Sequence, residues 1–324
     1  GEVIHECINK KILIFCTESA YKRYQSDILL EKLFDLPNVF FEHSFNSNPS
    51  IKDIKKIGIK YKEYSIDVVI GLGGGSAMDV AKIASSSIPA QNNSIEINDL
   101  LSDDKLFDKF TSLKCIQIPT TAGTGSEVTP FATIWDYDKQ KKLSLSHSSM
   151  FADIAFIDPE FLINMPEDVA LSTGLDALNQ AFESIWNINS TSISLNYAIK
   201  GAYLSLRSLR NLESINYCSK LRSDLSAASL YAGIAISQTR TSVCHSISYP
   251  LTLRFNIPHG LACAFSMKEV YQFNSQNIKE SVDLLEKILD EDPFKIICKI
   301  FKSFSVESKI SSYISNPQDI TDML

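Results

Sequence analysis

Two histidines, His245 and His259, stand fourteen residues apart in the stretch CHSISYPLTLRFNIPHG, and Asp176 lies upstream in TGLDALNQAFES. Imidazole and carboxylate are the donors that a borderline divalent metal takes, and a catalytic site needs about three of them plus an open position. The chain has five histidines in all, and two fall in this one segment. At helical spacing Asp176, Gln180 and Glu183 share a face. Asp176 reads as the ligand, Gln180 as a weaker carbonyl donor or a hydrogen-bond partner of a ligand, and Glu183 as a structural ion-pair member. A separation of fourteen residues is not a local chelating motif, so the spacing alone does not bring the two rings together. A glycine-rich phosphate loop a domain's length upstream completes the set, which points to metal-assisted redox chemistry with a nucleotide cofactor.

That loop, IDVVIGLGGGSAMDVAK, reads strand, glycine turn, helix. Gly73, Gly74 and Gly75 let the backbone approach an anion, and Ser76 opens a helix whose N–H groups and dipole favour a pyrophosphate. It is neither the GxGxxG fingerprint nor a Walker A loop. A second loop, IPTTAGTGSEVTP, offers the hydroxyls of Thr120, Thr121, Thr124 and Ser126 and the N–H groups of Gly123 and Gly125. Such a loop can bond phosphate, ribose or nicotinamide.

The elements that must position these residues divide the chain. KILIF, VFF near 40, IDVVIGL near 67, KCIQIP near 115 and AFID ending at Asp158 read as buried strands alternating with helical patterns such as SIKDIKKIGIKYKEY. That alternation predicts a parallel sheet covered on both faces. Beyond Pro166 the patterns SLNYAIKGAYLSLRSLRNL, SDLSAASLYAGIAISQT and KESVDLLEKILDED predict an all-helical half. The expected domains are therefore 1–162, α/β, and 163–324, all-α, with the boundary in DPEFLINMPED. ASSSIPAQNNS reads as a surface loop, and no internal repeat is present.

Composition bounds the rest. A hydrophobic fraction of 44% and a charged fraction of 21% are ordinary globular values. A net charge of −7 argues against a nucleic-acid partner or an anionic membrane surface. The seven cysteines are scattered and form no CxxC pair, so they read as reduced thiols in a cytoplasm. No apolar run approaches a membrane span, and the first residues carry no signal pattern.

In order and spacing, GGGSAMDVAK, PTTAGTGSEVTP, AFIDPE, TGLDALNQAFES and CHSISYPLTLRFNIPHG resemble the iron-containing alcohol dehydrogenases, from about Lys11 to past Cys263. The resemblance implies an N-terminal Rossmann-like dinucleotide-binding domain and a C-terminal helical domain, with a metal site in the cleft, a dehydroquinate synthase-like arrangement. It implies NAD or NADP, a divalent ion (Fe²⁺ or Zn²⁺), a small aldehyde or alcohol substrate and a homo-oligomer. Asp176, His245 and His259 match three family metal ligands. Gln180 stands where the family has a fourth, histidine, ligand, which implies three protein ligands or weaker binding. Tyr249 replaces a histidine near the substrate and is expected to position substrate or relay a proton. Gly73 to Ser76 and Asp79 match the pyrophosphate loop; Thr120, Thr121 and Thr124 match the second cofactor loop. Lys142 falls where a cofactor-contacting lysine occurs, and Glu18 where an acid binds the ribose and favours NAD. Against the family pattern the chain starts close to its first dinucleotide strand and ends early.

Within the family, Tyr249-Pro250 and Arg254 resemble the phosphonoacetaldehyde reductases of phosphonate biosynthesis, which form 2-hydroxyethylphosphonate. An arginine suits a phosphonate dianion, so Arg254, with His147 or Lys142, is the expected substrate partner. Alternative readings are a general short-chain alcohol dehydrogenase, a dehydroquinate synthase-like lyase, and a non-catalytic relative.

Overall fold

β-Branched and aromatic apolar runs form the strands because both of their faces can be buried. In chain order the strands are Ile12–Phe15 (β1), Val39–Glu42 (β2), Val68–Gly73 (β3), Lys114–Pro119 (β4), Phe131–Asp136 (β5), Lys141–Ser146 (β6) and Ile154–Ala155 (β7), of which β1 and β3 are wholly buried. The computed structural model describes residues 2–46, 48–163, 165–316 and 318–321. The backbone divides into one unit of residues 1–120 and 126–158 and another of residues 121–125 and 159–324.

In the first unit, five strands pair in parallel in the order β2-β1-β3-β4-β7. The chain leaves β1 for β2 on one side and returns to β3 on the other. The β1/β3 boundary is therefore a topological switch point, where ligands sit at the carboxyl ends of the strands. Those ends carry Glu18, the first residue of helix α1 (Glu18–Tyr24), Gly73 on β3 and Thr120 after β4. Helix α2 (Ile51–Tyr61) starts at a Ser50/Asp53 capping box. β7 lies slightly before the expected AFID strand and pairs with Ile116 and Gln117. The antiparallel β5–β6 hairpin has no counterpart in the sequence reading.

The expected surface loop ASSSIPAQNNS is instead mostly helix. Helix α3 runs Gly75–Asn92, with Ser85, Ser86 and Ser87 buried and Pro89 inside it. Proline cannot donate to the carbonyl four residues back. Here Leu113 N takes that role, donating to Ser85 O at 2.8 Å. The serine hydroxyls turn inward as well, Ser85 Oγ donating to Lys82 O at 2.7 Å and Ser86 Oγ meeting Ser112 Oγ at 3.1 Å.

The second unit is built around helix α4 (Glu167–Ile185), in which nearly every side chain from Ala170 on is buried. A helix buried all round is the centre of a bundle. Leu175, Leu178 and Phe182 share a core with Leu206 and Leu209 of α5 (Ser192–Leu209) and Leu225 of α6 (Ser219–Thr239). Helices α7 (Val243–Phe255), α8 (His259–Ala264), α9 (Lys279–Leu289) and α10 (Pro293–Ser303) follow. The short turn Pro159–Leu162 goes with this unit, and its Glu160 pairs with Arg222 of α6 at 3.0 Å. Among the described residues no helix is long and apolar enough to cross a membrane.

Lys82 of α3 is wholly buried and fastens the segment before β5. Its Nζ donates to the carbonyls of Ser126 (2.8 Å), Thr129 (3.2 Å) and Phe131 (2.6 Å), with Asp79 at 3.6 Å. Replacing it by methionine removes all of these donated bonds at once and the buried positive charge beside Asp79. Lys82→Met is expected to destabilise this unit by about 3–5 kcal/mol in urea unfolding; an unchanged midpoint would contradict that role.

Candidate metal centre

Helix α4 carries Asp176, Asn179, Gln180 and Glu183 in the middle of an apolar bundle, and all four are buried. Buried carboxylates need compensating partners. Asn179 turns back on its own helix, its Nδ2 donating to Leu175 O at 2.9 Å. The two acids meet a single imidazole. His245, in the first turn of α7 and 4% exposed, has Nδ1 at 2.5 Å from Glu183 Oε2 and Nε2 at 3.2 Å from Asp176 Oδ1. Glu183 Oε1 also accepts from the backbone N–H of Cys244 (2.6 Å) and His245 (3.3 Å) at the start of α7. A carboxylate can only accept, so Nδ1 of His245 carries the proton toward Glu183. Nε2 faces the Asp176 carboxylate, which also only accepts, so it donates there until an ion takes the place of its proton. The contact of Nδ1 with Glu183 is the arrangement by which a carboxylate orients a metal-binding imidazole.

His259 is oriented in the same sense. Ser248, one turn after His245, donates its hydroxyl to His245 O at 2.7 Å and has its oxygen 3.4 Å from His259 Nδ1. The hydroxyl proton is committed, so Ser248 Oγ accepts from Nδ1 and His259 Nε2 is left with its lone pair. That nitrogen lies 3.8 Å from Cys263 Sγ, one turn along α8. One donor atom each from Asp176, His245, His259 and Cys263 fall within 4.8 Å of one another. An ion with N and O bonds of about 2.0–2.2 Å and an S bond of about 2.3 Å sets tetrahedral edges of about 3.3–3.6 Å. The 3.2 Å and 3.8 Å separations bracket that range, and the donor types suit a divalent ion of zinc or iron character. The residues therefore fit a metal. Asp176, His245 and Cys263 are buried, while His259 and Tyr249, whose rings stack at 6.1 Å and 12°, are half-buried and form the more open rim.

The electrostatics follow from this packing. Burial pushes the Asp176 carboxyl up, but the His245 hydrogen bond and the nearby His259 ring outweigh it and hold it below the usual carboxylate range. Glu183 behaves alike: burial raises it, and the charge of His245 and its hydrogen bonds bring it down. Burial likewise raises the Cys263 thiol, but His245 and His259 bring it down to about 7. At Cys16, Cys115 and Cys244 burial prevails and pushes the thiol up to about 12.

Close helix approach makes the cluster possible. A Cβ on Gly260 would fall 1.7 Å from Ser172 O of α4, so only glycine lets α8 lie close enough to bring its flanking His259 beside Asp176. Gln180 is buried next to Asp176. Its Nε2 donates to Thr124 O at 3.3 Å, while its Oε1 is buried without a hydrogen-bond partner among the described residues.

The remaining candidates fall as follows. Gly73 adopts φ +153°, open to glycine, and Gly74 is the N-cap of α3 with no side chain to cap it. Thr120 N donates to Gly73 O at 2.9 Å, joining the second loop's first residue to the glycine turn. Asp79 is engaged internally: Oδ1 accepts from Ser126 Oγ at 2.5 Å and Oδ2 from Thr133 N at 2.8 Å. Thr121 and Thr124 belong to the second unit, where a Cβ on Gly123 would fall 2.3 Å from Thr173 O. Lys142 is half-buried on β6 opposite Trp135. His147 caps a short turn, stacks on Phe107 at 4.8 Å and lies 3.9 Å from Asp108. Arg254 is exposed in the last turn of α7. Nine residues from His245, it falls about half a turn round the helix from that ring, so the structure does not bring it to the cluster. Glu183 is more than an ion-pair member, since it sets the His245 tautomer. Cys263 was absent from the sequence reading; its signal is the H-x-x-x-C spacing within HGLAC, which a helix closes to one turn.

The family model described as iron-containing alcohol dehydrogenase matches residues 1–159. The one described as Fe-containing alcohol dehydrogenase family, C-terminal, matches residues 170–309. The chain is 35% identical to the phosphonoacetaldehyde reductase of Streptomyces viridochromogenes over 212 residues, 64% of this chain and 53% of that one. It therefore spans about half the length of that relative. It is 31% identical to the 1-propanol dehydrogenase of Citrobacter freundii over 280 residues, 85% of this chain and 70% of the relative. Its fold matches a crystal structure of an iron-containing alcohol dehydrogenase from Thermotoga maritima with a TM-score of 0.81 at 32% identity, covering 94% of this chain and 81% of the other.

Two substitutions test the geometry. Glu183→Gln loses the acceptor that fixes the His245 tautomer, and metal affinity measured against a chromophoric chelator should fall about 10–100-fold; undiminished affinity would show that the ring needs no such support. Gly260→Ala should part α8 from α4 and abolish metal retention on gel filtration, and a variant that keeps its ion would refute the close-approach argument.

Proposed function

The chain belongs to the iron-containing alcohol dehydrogenase family, and on that premise we propose that it is a metal-dependent, nicotinamide-linked oxidoreductase interconverting a small aldehyde and its alcohol. The observation that carries this reading is the convergence of Asp176 Oδ1, His245 Nε2 and His259 Nε2 on one point, with both rings held by acceptors on their far sides. When bound, a divalent ion supplies Lewis acidity toward a carbonyl oxygen and the nicotinamide cofactor supplies the reducing equivalent.

The chain's own residues do the positioning. Asp176, His245 and His259 hold the ion, and Glu183 and Ser248 fix the rings. Gly73 to Ser76 and Thr120 receive the pyrophosphate at the carboxyl edge of the sheet, with Glu18 at the end of β1 for the adenosine ribose, which favours NAD. Asp79 shapes the second loop through Ser126 and Thr133 instead of facing the phosphates. Thr121, Thr124 and Lys142 are the further cofactor contacts. Tyr249, stacked on His259 at the half-buried rim, positions the substrate and holds the relayed proton at its Oη.

For the substrate, phosphonoacetaldehyde is the first choice, because the phosphonoacetaldehyde reductase is 35% identical. The exposed placement of Arg254 favours a second reading, an uncharged short-chain aldehyde, as does the likeness to a 1-propanol dehydrogenase. The deciding assay is NAD(P)H oxidation by the metal-reconstituted chain with phosphonoacetaldehyde and with propanal. A preference of tenfold or more in kcat/KM, about 1.4 kcal/mol, for the phosphonate supports the first reading. Equal turnover supports the second. Turnover by a metal-free His259→Ala variant would sink the proposal.

A further inference from the structure

Resting on the metal-site reading above and going beyond it, we propose that Cys263 Sγ is the fourth protein ligand of the ion, taking the role left open by Gln180. The geometry points to the sulfur on three counts. Its position on α8 one turn beyond His259 places it 3.8 Å from His259 Nε2, close to the tetrahedral edge expected for a shared ion. It lies within the set in which all four donor atoms are no more than 4.8 Å apart. Its side chain is wholly buried, with the two imidazoles as its polar neighbours, so an exposed nucleophilic or redox role is closed to it.

Gln180 competes poorly for the same place. Thr124 O can only accept, so it fixes the amide with Nε2 on its side at 3.3 Å. The remaining Oε1 is a neutral carbonyl donor, whereas the thiolate brings a negative charge and a softer atom. Oε1 itself is buried without a hydrogen-bond partner among the described residues. An Asp/His/His/Cys set carries two negative charges against a divalent cation and neutralises it. Relative to three donors and an amide oxygen, it favours zinc-like ions over harder ones.

The test uses the full chain loaded with Co²⁺, whose ligand-field bands report binding and whose thiolate-to-cobalt charge-transfer band in the near ultraviolet reports sulfur ligation. The expected result is both band types in the wild type and in Gln180→Ala. In Cys263→Ser the charge-transfer band should be lost, with Co²⁺ affinity lower by at least about tenfold and unchanged far-ultraviolet circular dichroism. Ligand-field bands without a charge-transfer band in the wild type would overturn the proposal while leaving the metal site and the proposed function standing. A charge-transfer band that persists in Cys263→Ser would overturn it as well, locating the sulfur at another cysteine. Failure of the wild type to bind Co²⁺ at all would overturn both this proposal and the metal-site reading beneath it.

Discussion

The second unit depends on one electrostatic constraint: Asp176 and Glu183 are carboxylates on a helix with no face open to water. Ionised carboxylates in such a place are costly unless something positive or donating reaches them. His245 reaches both, one ring nitrogen to each acid, and Glu183 also takes the first N–H groups of α7. The helix start and the ring orientation are thus fixed by the same carboxylate. Once that ring is fixed, Ser248 falls one turn later, where its oxygen can accept a hydrogen bond from His259 Nδ1–H. The same interaction that makes the buried acids tolerable therefore gathers one nitrogen of each ring and the Asp176 carboxylate into one region, where a bound ion would replace the Nε2 proton of His245.

Burial sets how much such a cluster can hold. Asp176 and two neutral imidazoles offset one of the two charges of a divalent ion in a region where water cannot. Neutral imidazoles need their far nitrogens satisfied to keep the near ones open, and the chain meets that demand with a charged acceptor for one ring and a hydroxyl for the other. The difference is consistent with their positions: His245 is buried, and His259 lies at the half-buried rim. In the first unit the constraint is geometric instead. Parallel pairing aligns the carboxyl ends of β1, β3 and β4, so residues far apart in sequence share one edge without any side-chain interaction to arrange it.

Much of this is legible in the sequence, and what is not has identifiable causes. The core strands are continuous apolar runs and the long amphipathic helices have a clear period, so both announce themselves. Asp176, His245 and His259 stand out because acid and imidazole are scarce in such apolar surroundings. ASSSIPAQN misleads because serine and proline are loop residues by propensity, and only Leu113 N, from another segment, makes Pro89 acceptable within α3. The β5–β6 hairpin is half-exposed on β6, so its alternation is weak. Arg254 lies close to both histidines in sequence, but the helical turn carries it to the other side. Cys263 is hidden by its chemistry: a lone buried cysteine reads as core until the fold shows which atoms its sulfur faces. Glu183 is hidden by distance, since its partners lie about sixty residues downstream.

The most direct measurement of the central claim is anomalous diffraction at the metal edge from crystals of the chain soaked with Zn²⁺. The account predicts one strong peak per chain, within bonding distance of Asp176 Oδ1, His245 Nε2 and His259 Nε2. No peak there under saturating metal, or a peak only on surface carboxylates, would contradict it.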